Sequence, residues 1–282
     1  MSSLDKALQI LGCYSAQRVV LGVTEVAADL GLPKSSVSRM MKSMAESGLL
    51  EPSQERRGYS PGPLAFRLGN LYLKDDKFLE LVERAVGRLV DEFGLTGYIG
   101  ILDGADVVLV GVRQGTYPVR LVLPKGKRLP AHVTAVGVAL LARLSDEDVQ
   151  QLHPGEIVYG ETEQVNSSAD ILELARRARD DGFARTVGIT YRGFNALAVA
   201  VANENDGHLI SYSLSCPQEL DTPELNERMR RRMIEEASEI GLGVGDRYWL
   251  DKASDEASPT GPDTHSTAPV RGRAEVANPS PN

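Results

Sequence analysis

Residues 31–51 read GLPKSSVSRMMKSMAESGLLE, and this stretch decides how the first part of the chain folds. Positions i, i+3/i+4 and i+7 share one face of a helix, so Val37, Met41 and Met44 form an apolar stripe. The opposite face carries hydroxyls and cations, and residues 31–45 contain no acidic side chain. The pattern predicts a helix that packs on its methionines and presents a small, positively charged surface.

The sequence on either side of this helix predicts a winged helix-turn-helix. Residues 2–14 have apolar side chains at helical spacing behind a capping box that begins at Ser2. Thr24 is expected to cap a second helix that ends at Gly31, and Pro33 is expected to open the third. The next segment, LLEPSQERRGYSPG, has the turn formers of a small hairpin. Three helices and a hairpin within about 65 residues are typical of this DNA-binding unit.

The polar face of the third helix has the chemistry of a DNA contact. Small serines let the backbone approach a target, Arg39 can bind a guanine edge with two hydrogen bonds, and the lysines can contact phosphates. The hairpin arginines are expected at the backbone or in a minor groove. A serine and lysine face is most often only solvated, and Tyr59 could equally pack the hairpin, but the helix-turn-helix context favours DNA. The candidate DNA-binding residues are Lys34, Ser35, Ser36, Ser38, Arg39, Lys42, Arg56, Arg57 and Tyr59.

The charge distribution permits this interpretation although the whole chain is acidic. The 282 residues carry a net charge of −8. Residues 1–75 hold nine Lys/Arg against seven Asp/Glu, a net charge of +2, which leaves −10 for the remainder. Because a phosphate backbone interacts with the local surface, the local charge is the relevant quantity.

The composition also indicates the cellular compartment in which the protein works. No apolar run approaches the ~18 residues of a membrane span, and the N-terminus lacks the pattern of a signal peptide. Cys13 and Cys216 are far apart and have no CxxC or CxxH neighbours, which favours reduced thiols over a disulfide or a metal site. We therefore expect a cytoplasmic protein with no membrane partner, no metal and no cofactor.

The remainder of the chain predicts a second domain. Residues 62–94 have a helical pattern and are expected to form a linker. In residues 95–250, YIGILDGADVVLVGV and ALAVAVANENDGHLISYSLS each place apolar runs around an Asp-Gly pair, which predicts β-hairpins, and helical segments lie between them. This pattern indicates a mixed α/β domain with a largely antiparallel sheet. Residues 251–282 contain five prolines and no aromatic residue, so we expect this segment to be a disordered tail. The expected order along the chain is therefore a DNA-binding domain of residues 1–61, the linker, the second domain and this tail.

Six segments, in this order along the chain, resemble IclR-family transcription regulators: SLDKALQIL, LPKSSVSRMMKSMAESGLLE, GYSPGPLAFRLG, LPAHVTAVGVALLA, DDGFARTVGI and GHLISYSLSCP. The resemblance covers about residues 3–250. It implies a winged helix followed by a GAF/profilin-like α/β domain that binds an effector. It further implies a homodimer or homotetramer on a palindromic operator that responds to a small carboxylate or aromatic metabolite. Members of the family act as repressors, activators or both, and we expect a repressor here.

The resemblance also implies the positions of an effector pocket, which are Leu129, Thr134, Ala135, Val136, Thr186, Ala196, Ser213 and Ser215. Thr134 begins an apolar helix whose free N–H groups could receive an anion. Ser213 and Ser215 share one face of a strand, although such serines could equally bond neighbouring strands or water. Val138 stands where the family commonly has lysine, and residues 184–189 lack the acidic residues often found there. This loss of charge leaves a more apolar or aromatic effector open.

Other classes of protein have weaker support. The chain has no GxSxG, P-loop, HExxH or strand-associated GxGxxG motif, so we do not expect an enzyme. His132 is more readily a structural side chain than a catalytic base, and Cys216 more readily a buried thiol than a redox sensor. A thiol-sensing regulator and a winged helix that binds protein are the alternatives. In the favoured mechanism, an effector changes the spacing of paired winged helices on two half-sites, with residues 62–94 as the transmitter.

Overall fold

A computed structural model describes residues 2–15, 18–73, 77–154, 167–205 and 207–256. The chain divides into two compact units, Met1–Lys77 and Phe78–Asn282. The division falls inside the segment 62–94 that the sequence analysis treats as a linker. Each unit has its own hydrophobic core.

The first unit is a winged helix-turn-helix, as the sequence predicts. Its elements are α1 (Ser3–Gly12), α2 (Val23–Asp29), α3 (Lys34–Glu46), β1 (Leu50–Pro52), β2 (Tyr59–Pro61) and α4 (Pro63–Leu73). The strands β1 and β2 pair antiparallel and form the wing. Val37, Met41 and Met44 of α3 are buried with Ile10 of α1 and Val26 of α2, so the predicted apolar stripe forms the centre of this core.

Two helix starts differ from the prediction. The N-cap of α2 is Gly22 and not Thr24, because the preceding residue is held extended by a hydrogen bond from Leu21 N–H to the Tyr59 carbonyl at 2.9 Å, and the helix begins directly after it. Pro33 is the N-cap of α3 and not its first helical residue, since its ψ of 129° is extended. The predicted capping box of α1 is present, with the Asp5 N–H donating to Ser2 Oγ at 3.1 Å.

The second unit is a mixed α/β domain built on an antiparallel sheet. The six strands follow the order β5-β4-β3-β8-β7-β6, and all neighbouring pairs are antiparallel. The strands are β3 (Thr96–Asp103), β4 (Asp106–Arg113), β5 (Arg128–Pro130), β6 (Ala184–Val187), β7 (Phe194–Asn203) and β8 (His208–Pro217). Both predicted hairpins are present as β3–β4 and β7–β8, and their glycines, Gly104 and Gly207, have positive φ angles.

Helices cover both faces of this sheet. They are α5 (Lys77–Phe93), α6 (Ala135–Leu141), α7 (Asp146–Leu152), α8 (Ser168–Asp181), α9 (Pro223–Val244) and α10 (Arg247–Glu256). On one face, α5 and α9 pack against large side chains such as Leu197, Tyr212 and Leu214. On the other face, α6 and α8 pack against Ala198 and Ala200. Thr134, Ser145, Ser167 and Thr222 cap the helices that follow them, and each side chain accepts a hydrogen bond from the N–H of the third residue of its helix.

Two segments have more structure than the sequence analysis assigns to them. α5 is not only a connector, because its residues Val82, Ala85 and Leu89 are fully buried in the core of the second unit. The predicted tail begins at Asp251, but α10 continues to Glu256. Trp249 anchors this helix, since its ring is buried and its Nε1–H donates to the Ala200 carbonyl at 2.9 Å. The rest of the predicted tail, residues 257–282, lies outside the described residues.

Candidate functional site

The outer face of α3 is a polar surface with unpaired cations. Val37 and Met41 are 0% exposed, whereas Arg39 between them is exposed, so the two faces separate as the period of the helix predicts. Of the residues predicted to bind DNA on this helix, Ser36 is half-buried and the others are exposed, namely Lys34, Ser35, Ser38, Arg39 and Lys42. Lys42 Nζ lies 3.8 Å from Glu46 Oε1, an exposed pair that contributes little stability. Within the described ranges, Lys34 and Arg39 form no ion pair.

The wing presents two further cations. Arg56 and Arg57 are exposed in the turn between β1 and β2. Tyr59 is half-buried and packs against the core of the first unit, and its carbonyl accepts a hydrogen bond from the Tyr14 hydroxyl at 3.0 Å. The backbone of Tyr59 therefore holds the wing onto the helices, which is the packing alternative that the sequence analysis kept open.

The second unit contains a cavity of about 500 Å³, part of it open to solvent, at the face of the sheet that α6 covers. All eight residues predicted for the effector pocket line it, so the structure brings together positions that are up to 86 residues apart in the chain, from Leu129 to Ser215. Sequence reasoning missed nine further lining residues: Tyr98, Val107, Leu109, Leu121, Leu123, Thr190, Tyr191, Phe194 and Asn195. The signal for Val107 and Leu109 was their alternation along a strand, which places both on one face.

Three buried residues of the lining carry hydroxyls that have no partner among the described residues. Ser213, Ser215 and Thr186 are 3%, 7% and 6% exposed, and none of their hydroxyls forms a hydrogen bond with the described residues. By contrast, Ser211 lies on the same strand face outside the cavity, and its hydroxyl donates to the Val199 carbonyl at 2.8 Å. Because these hydroxyls line the cavity and are not used within the described protein, they are available to hydrogen-bond with a bound molecule or with water.

The other polar groups of the cavity wall are already engaged. The Tyr98 hydroxyl donates to the Leu121 carbonyl and accepts from Leu123 N–H, so it fixes a loop over the cavity. Thr134 Oγ1 accepts from Gly137 N–H at 2.9 Å, which is the cap of α6. The Thr190 hydroxyl donates to the Val133 carbonyl. These bonds shape the cavity, and they leave the three hydroxyls without a partner among the described residues as its polar floor.

A polar network borders the cavity on the opposite side of β6. The Asn195 side-chain amide donates to the Asp221 carboxylate and its oxygen accepts from Gln218 Nε2 at 3.2 Å. Arg185 donates to the same carboxylate at 2.7 Å. The cation nearest in sequence to Thr186 is therefore neutralised, and no charged side chain is among the described residues that line the cavity.

The histidine and the cysteine considered in the sequence analysis lie outside this cavity. His132 and His153 are buried with ring centroids 5.6 Å apart, and burial followed by the charge of His153 lowers the pKa of His132. Cys216 points to the opposite face of β8, into the core with α5 and α9, and burial raises its pKa to about 11. A thiol with such a pKa is almost entirely protonated at neutral pH, which does not favour a redox sensor.

Membrane and metal sites find no support in the described residues. None of the helices there is both long enough and apolar enough to cross a bilayer. The His, Cys, Asp and Glu side chains of the same residues form no group of three that could hold a metal ion.

A winged helix-turn-helix with exposed cations on α3, followed by an α/β domain with a cavity, is the architecture of a transcriptional regulator. Residues 3–53 match the IclR helix-turn-helix domain, and residues 70–241 match the C-terminal domain of the bacterial transcriptional regulator IclR. The chain therefore belongs to the IclR family of transcriptional regulators.

Curated relatives agree with this assignment, and solved structures share the fold. The chain is 26% identical to the transcriptional repressor IclR of Escherichia coli over 248 residues, which are 87% of this chain and 90% of that protein. It is 27% identical over 219 residues to the regulator XynR of the same species, with 76% and 86% of the two chains covered. A regulator from Alicyclobacillus acidocaldarius has the same fold, with a TM-score of 0.73, 19% identity and coverage of 85% and 97%. An IclR homolog from Microbacterium hydrocarbonoxydans in complex with 4-hydroxybenzoate has a TM-score of 0.69, 19% identity and coverage of 86% and 99%.

Proposed function

We propose that this regulator is a repressor whose binding to a palindromic operator is controlled by a small molecule in the cavity of the second unit. The observation that carries the proposal is the set of three hydroxyls that line this cavity without a partner among the described residues, in a chain that also holds a winged helix. The 4-hydroxybenzoate complex of the Microbacterium homolog supports a small ligand for this fold, and the repressor relatives support the sign of regulation.

The DNA contacts would divide between specificity and positioning. Arg39 is exposed on the outer face of α3 without an ion pair in the described part of the chain, so its guanidinium is available for a guanine edge. Lys34, Lys42, Arg56 and Arg57 would contact phosphates or a minor groove. The serines Ser35, Ser36 and Ser38 would allow close approach, and Tyr59 would act mainly by holding the wing.

A palindromic operator requires two copies of α3, and the chain has apolar surface for self-association. Leu4 and Leu8 of α1 and Leu68 and Leu71 of α4 are more than half exposed. Exposed apolar side chains on these two helices are available for an interface, and a symmetric dimer would match a symmetric operator. We propose a homodimer, or a tetramer of two such dimers, in which the ligand favours one arrangement of the paired winged helices, with residues 62–94 transmitting the change.

A salt-titrated DNA-binding assay tests the first part of this proposal. The assay compares random duplex with two kinds of candidate DNA: duplexes from upstream of the protein's own gene, and sequences selected from a random pool. Salt is varied between 50 and 200 mM, because a protein with 6–10 phosphate contacts loses ~10³–10⁵ in affinity over this range. Specific binding with a steep salt dependence is the expected result. A failure to bind any duplex at low salt would reject the DNA-binding role and favour a protein partner for the winged helix.

The second part is tested by removing a hydroxyl from the cavity. Ser215→Ala is expected to weaken the response to a ligand that releases the operator, because one hydrogen bond to that ligand is lost. DNA binding without ligand should stay as in the wild type. Ser211→Ala is the matched control, since Ser211 lies on the same strand face but outside the cavity. A full response of Ser215→Ala at unchanged ligand concentration would contradict the cavity as the ligand site.

A further inference from the structure

We propose that residues 118–125, named the strap here, form the gate of the cavity in the second unit, and that the Tyr98 hydroxyl is the latch that keeps this gate closed. The strap lies in the connection from β4 to β5 and has the sequence PVRLVLPK. This inference rests on the proposed function, because it concerns the route by which a ligand reaches the proposed site.

The strap is a thin wall of the cavity. Leu121 and Leu123 are half-buried and line the cavity from this side. Val119 and Val122 are 50% and 46% exposed, so the outer side of the strap meets solvent. Displacing the strap therefore exposes two leucines that are only partly buried, which is less unfavourable than exposing fully buried leucines of a core.

The Tyr98 hydroxyl ties the centre of the strap to the sheet. It donates to the Leu121 carbonyl at 2.5 Å and accepts from the Leu123 N–H at 3.3 Å. Within the described ranges, the strap forms no other hydrogen bond except with its own flanks, Tyr117 and Lys127. A single side chain on β3 thus supplies both of the bonds that hold this wall to the rest of the domain.

The two ends of the strap are fixed by backbone hydrogen bonds. Before it, the Tyr117 N–H donates to the Gly94 carbonyl at 3.0 Å. After it, the Gly126 N–H donates to the Leu109 carbonyl at 2.7 Å, and the φ angle of Gly126 is 79°. Fixed ends around a segment with one central attachment are the arrangement of a loop that opens on hinges.

The other loop of the cavity wall, residues 188–193, is attached at more places. The Thr190 hydroxyl donates to the Val133 carbonyl, and the Gly193 carbonyl accepts from the Gln218 N–H at 2.9 Å. Most of the remaining wall belongs to the strands of the sheet and to the start of α6. The strap is therefore the wall that can move with the smallest loss of contacts.

A ligand needs such a movement to reach the polar floor. Ser213 and Ser215 are only 3% and 7% exposed, although part of the cavity is open to solvent. A molecule larger than water can contact both hydroxyls only after a wall has moved. Opening of the strap would then limit the rates at which a ligand enters and leaves.

Access to the floor can be measured without any ligand. Ser213→Cys places a thiol there with little change in size, in a Cys13→Ser background that removes the native thiol outside the core of the second unit. Peptide mass spectrometry follows the modification of this thiol by methyl methanethiosulfonate in the full-length protein, with and without Tyr98→Phe. Tyr212→Phe is the matched control, because the Tyr212 hydroxyl donates to the Met233 carbonyl on the face of the sheet away from the cavity.

Hydrogen exchange measures the latch itself, in the peptides that cover the strap. We expect Tyr98→Phe to accelerate both the exchange of the strap amides and the modification of the thiol by about fivefold to 100-fold, because two hydrogen bonds that favour the closed strap are lost. Tyr212→Phe should stay within about twofold of the wild type in both measurements. Circular dichroism verifies that each variant is folded.

Three results would overturn the inference. Unchanged strap exchange in Tyr98→Phe would show that the hydroxyl is not the latch, and faster exchange with unchanged thiol modification would show that the strap is not the gate. An equal acceleration in Tyr212→Phe would assign the effect to a general loosening of the domain. Neither measurement uses ligand or DNA, so the latch can fail while the proposed function stands, and the Ser215→Ala test of that function can fail while the latch holds.

Discussion

Replacing Arg39 by alanine should remove specific DNA binding without destabilising the protein. Arg39 is exposed and has no ion pair in the described ranges, so the free energy of unfolding should change by less than about 0.5 kcal/mol. A guanidinium bound to a guanine edge discriminates by about 1–3 kcal/mol. Two copies on a palindrome would give about 2–6 kcal/mol, or roughly 30-fold to 10⁴-fold in operator affinity.

A second substitution separates charge from geometry. Arg39→Lys keeps the positive charge but loses the planar fork that binds guanine twice. Affinity for random duplex and its salt dependence should therefore be retained, while the preference for operator falls as in Arg39→Ala. Arg67→Ala is the matched control, because Arg67 is another exposed arginine of the first unit and lies on α4.

The buried face of the same helix should respond in the opposite way. Met41 is 0% exposed, two positions after Arg39, and its replacement by alanine should cost about 2–5 kcal/mol of stability through the cavity that it leaves. For every variant, fluorescence anisotropy with labelled duplexes gives the affinity for DNA, and urea unfolding gives the free energy of unfolding. An Arg39→Ala protein that binds its operator with wild-type affinity would refute the assignment of the outer face of α3 as the reading surface.

Three further expectations concern stability and reactivity. Burial lowers the pKa of His132 from 6.5, so the unfolded chain takes up this proton at higher pH than the native protein, and the melting temperature should fall as pH drops below about 6.5. Cys216 should resist Ellman's reagent at pH 8 in the native protein and react fully in urea, because its burial and its pKa of about 11 both protect the thiol. Rapid labelling of Cys216 in the native protein would support the thiol-sensing alternative. Gly137→Ala should lower the free energy of unfolding in urea by ~1–3 kcal/mol, since the new Cβ would lie 2.2 Å from the Ala131 carbonyl oxygen. Gly243 is a helical glycine with open space around it, so Gly243→Ala is the control and should be neutral or stabilising.

The strongest predictions from the sequence concern elements whose pattern has one physical explanation. The period of Val37, Met41 and Met44 admits a single buried face, and the structure has that face in the core. The Asp-Gly pairs predict two hairpins because their turns need residues that tolerate positive φ. The eight cavity positions came from family resemblance. Thr186, Ala196, Ser213 and Ser215 meet on the sheet because alternate residues of neighbouring strands share a face, and Thr134, Ala135 and Val136 line the same cavity from the start of α6.

The sequence analysis failed where distant contacts override local pattern. The loop with Leu121 and Leu123 has no periodicity, and its place over the cavity depends on the hydroxyl of Tyr98 more than 20 residues earlier. The polar composition after Asp251 predicts disorder, yet α10 continues through Asp251 to Glu256. Trp249 holds this helix in place because its ring N–H donates to the Ala200 carbonyl on β7. Such contacts are formed only when the tertiary fold is complete, so a reading of adjacent residues cannot detect them.

The alternation along β8 has a consequence for how this protein can evolve. Tyr212, Leu214 and Cys216 face the core with α5 and α9, while Ser213 and Ser215 face the cavity from the same strand. Substitutions at the two serines therefore change the lining of the cavity, whereas the packing on the opposite face of β8 involves other side chains. If the cavity serves as the ligand site proposed above, substitutions on this face would change the ligand while the core residues of the same strand stay as they are.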